Sequence, residues 1–125
     1  MKELDSLWRI THKLRRECPW DRKQTQKSLL RYLREESREL REAVLRGKKS
    51  EIRDELGDVL HQVLFHAAIA EEKGWFGLRD VLKHLEEKLI RRHPHVFGGK
   101  KAKTIAEVLK NWKEIKLAEK NNRRY

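Results

Sequence analysis

The chain has 125 residues, of which 38% are hydrophobic and 41% charged, with 31 Lys and Arg against 20 Asp and Glu. That length suits a single domain over residues 1–125 with a modest core. Its charge density leaves no apolar run for a membrane span or, near the N-terminus, for a secretory signal. One cysteine, Cys18, excludes an intramolecular disulfide and a cysteine metal cluster, so a cytoplasmic location is expected.

Hydrophobic periodicity predicts an all-α bundle of about five helices. The first covers residues 3–17, with Leu4, Leu7, Trp8 and Leu14 at helical spacing. It stops at Cys18-Pro19, because a residue before proline avoids helical geometry. A polar, non-helical stretch over residues 20–26 leads into a second helix over residues 28–46, closed by Gly47. Ser50 is expected to cap the third helix, which continues to residue 73 before Gly74. A fourth helix spans residues 78–92 and ends ahead of Pro94. Residues 95–103 read as a mobile loop. Thr104 and Glu107 form a capping box for the last helix, whose stripe is Val108, Leu109, Trp112 and Ile115. Residues 121–125 are expected to fray.

Laid out at about 100° per residue, the second helix carries Leu29, Leu33, Leu40 and Val44 on its apolar stripe, with Glu36 and Glu39 at the margin. On the third, Ile52, Leu56, Val59, Leu60 and Val63 mark the predicted buried face. Glu55 lies on its shoulder, and Asp58 and Gln62 lie further out. Each helix thus brings two acids, three residues apart, to the edge of its packing face. An antiparallel pairing would bring four carboxylates together, where repulsion and desolvation call for a cation such as Mg²⁺. Ordinary ion pairs with the abundant Lys and Arg are the competing reading. A di-iron site would want histidines where Glu39 and Asp58 stand. His61 and His66, five apart, do not share a helix face well enough to chelate one metal.

The segments Cys18-Pro19-Trp20-Asp21, Glu35-Glu36-Ser37-Arg38-Glu39, Glu55-Leu56-Gly57-Asp58, Arg91-Arg92-His93-Pro94-His95-Val96-Phe97 and Asn111-Trp112-Lys113-Glu114-Ile115-Lys116 resemble the MazG family. The resemblance is collinear over nearly the whole chain and is nearest to the N-terminal copy of two-copy members. It implies an all-α nucleoside triphosphate pyrophosphohydrolase that releases a monophosphate and pyrophosphate and works as a homodimer or higher assembly. It further implies Mg²⁺ ligands at Glu36, Glu39, Glu55 and Asp58. Glu35 would be a base acting on water or a group supporting the ligands.

Lys88 and Arg92, four apart, can face one phosphate chain, with Arg91 beside them. Asn111, Trp112 and Lys116 are candidate base or phosphate contacts, although the spacing of Trp112 also fits a core residue. Trp20 and Asp21 read as part of a lid over the site. The formal net charge of +11 favours anionic partners. Basic residues are nevertheless spread over every helix, with no recognisable nucleic-acid-binding motif, which disfavours nucleic acid as the partner. The alternatives to an enzyme are a non-catalytic dimerisation or regulatory domain and a basic nucleic-acid-binding module.

Overall fold

A computed structural model describes residues 1–122. Its elements are α1 (Lys2–Glu17), α2 (Pro19–Lys23), α3 (Leu30–Arg46), α4 (Lys49–Glu72), α5 (Leu78–Arg92), α6 (Pro94–Phe97) and α7 (Ile105–Asn122). No strand occurs among the described residues. The chain divides into two compact units, Met1–Leu78 and the residues from Arg79 onward.

In the first unit α3 packs on α4, and α1 packs on α2 and α4. Gly47 makes the α3–α4 turn possible: its φ of 75° is left-handed, and its N–H caps the carbonyls of Ala43 and Val44. With Lys48 the only other residue between the helices, α4 folds back along α3. One part of the core is Leu29, Phe65 and Ile69 with Tyr32 against them. Another is Leu64, Ala67 and Leu78 with Leu4 and Trp8. Arg15 ties three elements together. Its guanidinium forks onto Glu72 at 2.8 and 2.9 Å and donates to the carbonyls of Asp21 and Gln24.

Several expectations are corrected. Residues 20–26 are not uniformly non-helical, since Pro19 opens the short helix α2, for which its fixed φ is suited. Ser50 lies inside α4, whose N-cap is Lys48 without a side-chain cap. Before α3, Thr25 and Ser28 cap each other through backbone N–H to hydroxyl bonds of 2.8 and 3.0 Å, and the helix proper starts at Leu30.

The largest correction is rotational. On α4, Leu56, Leu60 and Val63 are 54%, 40% and 42% exposed, whereas Gln62 is buried. On α3, Val44 is 55% exposed and Ala43 fully buried. The buried face of α4 therefore takes in Gln62 in place of Leu60 and Val63, while Glu55 stays half-buried and Asp58 exposed.

Within the second unit, Arg91 and Arg92 of α5 both pair with Glu119 of α7, at 2.7 and 2.8 Å. The predicted loop contains the single turn α6, where Pro94 again occupies a first-turn position. The Thr104 half of the capping box forms, and its reciprocal bond is shifted by one residue. Thr104 Oγ1 accepts from Glu107 N–H at 3.2 Å, and the Glu107 carboxylate reaches back to the N–H of Lys103 at 2.8 Å. Of the tail expected to fray, Asn121 and Asn122 close α7, and residues 123–125 lie outside the described residues.

Candidate metal centre

Glu36 and Glu39 come from the middle of α3, Glu55 and Asp58 from the first half of α4. Three-residue spacing puts each pair on one helical face, and the tight Gly47 turn sets the faces against each other. One carboxylate oxygen from each of the four lies within 4.8 Å of the others. The first three residues are half-buried and Asp58 is exposed, so the cluster sits at the rim of the α3–α4 interface.

The local electrostatics are unfavourable for four bare anions. Burial raises the pKa of Glu36, and the neighbouring charges of Glu39 and Asp58 raise it further. Glu55 is raised by the same causes in the same order. Glu36 Oε2 and Glu55 Oε2 are buried without a hydrogen-bond partner. Among the described residues no ion pair joins any of the four acids to a base, which sets aside the ordinary ion-pair reading. Orphaned, crowded carboxylate oxygens on an all-oxygen rim suit a hard divalent cation. The residues therefore fit a divalent cation of the Mg²⁺ type, which Glu36, Glu39, Glu55 and Asp58 would hold.

The other predicted site residues fall as follows. Glu35 is half-buried and lines a groove of about 570 Å³ with Arg31, Arg34 and Arg38. Trp20 is exposed on one side, and its ring meets Tyr32 and Phe65 edge-on at 5.4 and 6.2 Å. Asp21 is buried. In the second unit, Lys88 and Arg92 are half-buried and Arg91 exposed. Asn111 is buried, while Trp112 keeps an exposed face with the Lys116 ammonium 5.2 Å from its ring centre. Trp112 is therefore not the core tryptophan its spacing allows.

Sequence reasoning missed three features. The arginines of the groove repeat at i, i+3 and i+7, a signal present in the sequence but lost among 31 basic residues. Gln62 was placed outward although it is buried. The pairing of Gln26 with His66 joins residues 40 apart, for which no local signal exists.

The fold and the four converging acids define an all-helical carboxylate-cluster domain. Sequence comparison narrows that class: the MazG nucleotide pyrophosphohydrolase domain matches residues 24–97, and the chain belongs to the MazG family. It is 52% identical over 104 residues to the uncharacterized protein YabN of Bacillus subtilis, covering 83% of this chain and 21% of that protein. It is 50% identical over 107 residues to the nucleoside triphosphate pyrophosphohydrolase/pyrophosphatase MazG of Thermotoga maritima, covering 86% and 40%. The chain thus spans about a fifth and two fifths of these two curated relatives. Among solved structures, the mazG-related protein from Thermotoga maritima shares the fold with a TM-score of 0.76 at 32% identity. That likeness covers 90% of this chain and 97% of the other. No helix among the described residues is long and apolar enough to cross a membrane.

Proposed function

We propose that this chain hydrolyses nucleoside triphosphates, deoxy and noncanonical forms included, to a nucleoside monophosphate and pyrophosphate, using Mg²⁺ held by Glu36, Glu39, Glu55 and Asp58. The observation that carries this reading is the set of four carboxylate oxygens within 4.8 Å, two of whose residues hold buried, unpartnered oxygens. Family membership supplies the substrate class.

When bound, Mg²⁺ supplies neutralisation of phosphate charge and the Lewis acidity that makes water a better nucleophile. The reaction bonds a water oxygen to the α-phosphorus and breaks the bond from that phosphorus to the α–β bridging oxygen. Pyrophosphate leaves with the bridging oxygen, and one proton leaves the water. Glu35, adjoining Glu36 in sequence, either accepts that proton or supports the ligands. Glu36 and Glu39 take part by holding the metal. No side-chain nucleophile is needed.

Trp20 and Asp21 in the first unit, and Lys88, Arg91, Arg92, Asn111, Trp112 and Lys116 in the second, are proposed substrate contacts. Glu119 keeps Arg91 and Arg92 extended together, a pre-ordering that favours forked recognition of phosphate. We also assign a homodimer or higher assembly as the working form, a single functional domain over residues 1–125, and a cytoplasmic location. The exposed stripe of Leu56, Leu60 and Val63 on α4 supports assembly, because such a stripe is stabilised by being covered.

The test is pyrophosphate release from a panel of ordinary and modified triphosphates, with Mg²⁺ present and then chelated. The expected result is Mg²⁺-dependent release of pyrophosphate and monophosphate in equal amounts. A folded, metal-supplied protein that turns over no triphosphate would move the assignment to a binding or regulatory domain.

A further inference from the structure

Two buried side-chain atoms, one turn apart on α4, have no hydrogen-bond partner: Gln62 Oε1 and His66 Nε2. Gln62 is only 7% exposed. Both atoms are acceptors. For Gln62 this follows from its chemistry, since a carbonyl oxygen only accepts. For His66 it follows from Gln26. The Gln26 Nε2 donates to the His66 carbonyl at 3.0 Å, which leaves its Oε1 against His66 Nδ1. The proton must then be on Nδ1, so the neutral ring presents a lone pair at Nε2. Burial lowers the pKa of His66 and keeps the ring in that neutral form.

Two buried acceptors without a donor destabilise the fold, and an incoming donor relieves whichever of them it reaches. Their position suits a nucleoside. Gln62 is four residues beyond Asp58 on α4, and His66 four beyond Gln62. They lie about 6 and 12 Å along the helix axis from Asp58. Trp20, itself partly exposed, packs its ring on Tyr32 of α3 and on Phe65 of α4, the residue before His66. A partly exposed aromatic ring packed on α4 and two acceptors of the same helix are the kinds of group that base stacking and edge recognition use.

We propose that Gln62 and His66 form an acceptor pair that reads a hydrogen-bond donor of the nucleoside, either an exocyclic base amino group or a ribose hydroxyl. This specificity role rests on the hydrolysis proposed above and deepens it.

The test compares kcat/KM for CTP against UTP, for ATP and GTP against ITP, and for each ribonucleotide against its deoxy form. The wild-type protein, Gln62→Leu and His66→Phe are measured side by side. The wild-type chain is expected to favour the donor-bearing member of at least one comparison by about tenfold or more. Gln62→Leu or His66→Phe should bring that ratio to within about twofold. Loss of an amino-dependent ratio assigns the base as the source, and loss of a ribose-dependent ratio assigns the 2′-hydroxyl.

A wild-type protein that makes none of these distinctions overturns the proposal, even where a variant fails to fold. So do variants that lower every rate equally while preserving the ratios, which would leave the two acceptors holding water. Should the wild-type protein hydrolyse no triphosphate, calorimetric titration with CMP, UMP, AMP, GMP, IMP and the deoxy forms reads the same ratios. The two proposals therefore fail separately.

Discussion

The four clustered acids of the first unit and Glu119 of the second meet opposite surroundings. Glu119 is largely covered, with a side chain 13% exposed, and two guanidinium groups meet it. Hydrogen bonds from Arg92 and Arg91 hold its pKa down to about 2. Glu36 and Glu55 are also partly covered, yet their nearest charged neighbours are other acids, and their pKa values rise. A buried carboxylate with its base beside it is a structural tie. A group of carboxylates left without a base on a protein carrying 31 Lys and Arg is an arrangement suited to a cation from outside, as proposed above.

Breaking the metal side of this contrast should have the largest effect. Glu39→Gln or Asp58→Asn is expected to lower turnover at least about 100-fold while helical content by circular dichroism is unchanged, since even groups that only support a ligand are worth 10- to 100-fold. Loss of folding instead would make the acids structural.

A second effect separates the two regions by stability. Mg²⁺ at about 100 times its dissociation constant should stabilise the wild-type fold by about 2.7 kcal/mol. In chelator, Glu36→Gln should raise the melting midpoint by a few degrees, because it removes a charge that burial and its neighbours disfavour. A midpoint that falls would contradict the account of the cluster.

Glu119→Gln should act the other way, lowering the melting midpoint by about 5 °C whether or not Mg²⁺ is present. The pH sign follows from the depressed pKa. The stabilisation from Glu119 is complete above its ordinary value of 4.5 and is lost as pH falls toward about 2. Melting curves between pH 5 and 2.5 should show this loss in the wild-type protein and a smaller one in Glu119→Gln. The smallest effect sharpens the comparison from outside. Lys13 and Glu17 pair at 2.8 Å on an exposed face, and Lys13→Ala should change stability by less than about 0.5 kcal/mol.

Much of this was legible from the sequence. Gly47, Gly74 and the Thr104 cap mark helix ends through backbone chemistry that is strictly local. The four acids were found by three-residue spacing on adjoining helices. The packing face of α4 is less legible, because periodicity treats Leu56, Leu60 and Val63 as core regardless of what covers them. A stripe left exposed looks the same in sequence as one already packed. Long-range polar pairings left no trace at all: Gln26 with His66 and Arg15 with Glu72 join residues 40 and 57 apart. The helix α2 was missed because a single turn opened by proline has no periodicity to read.

The most direct measurement is calorimetric titration of Mg²⁺ into the wild-type chain and into Glu39→Gln and Asp58→Asn. The account predicts saturable binding to the wild-type protein that is lost or weakened at least about tenfold in each variant. Binding of equal strength in all three, or none in a folded wild-type protein, would contradict it.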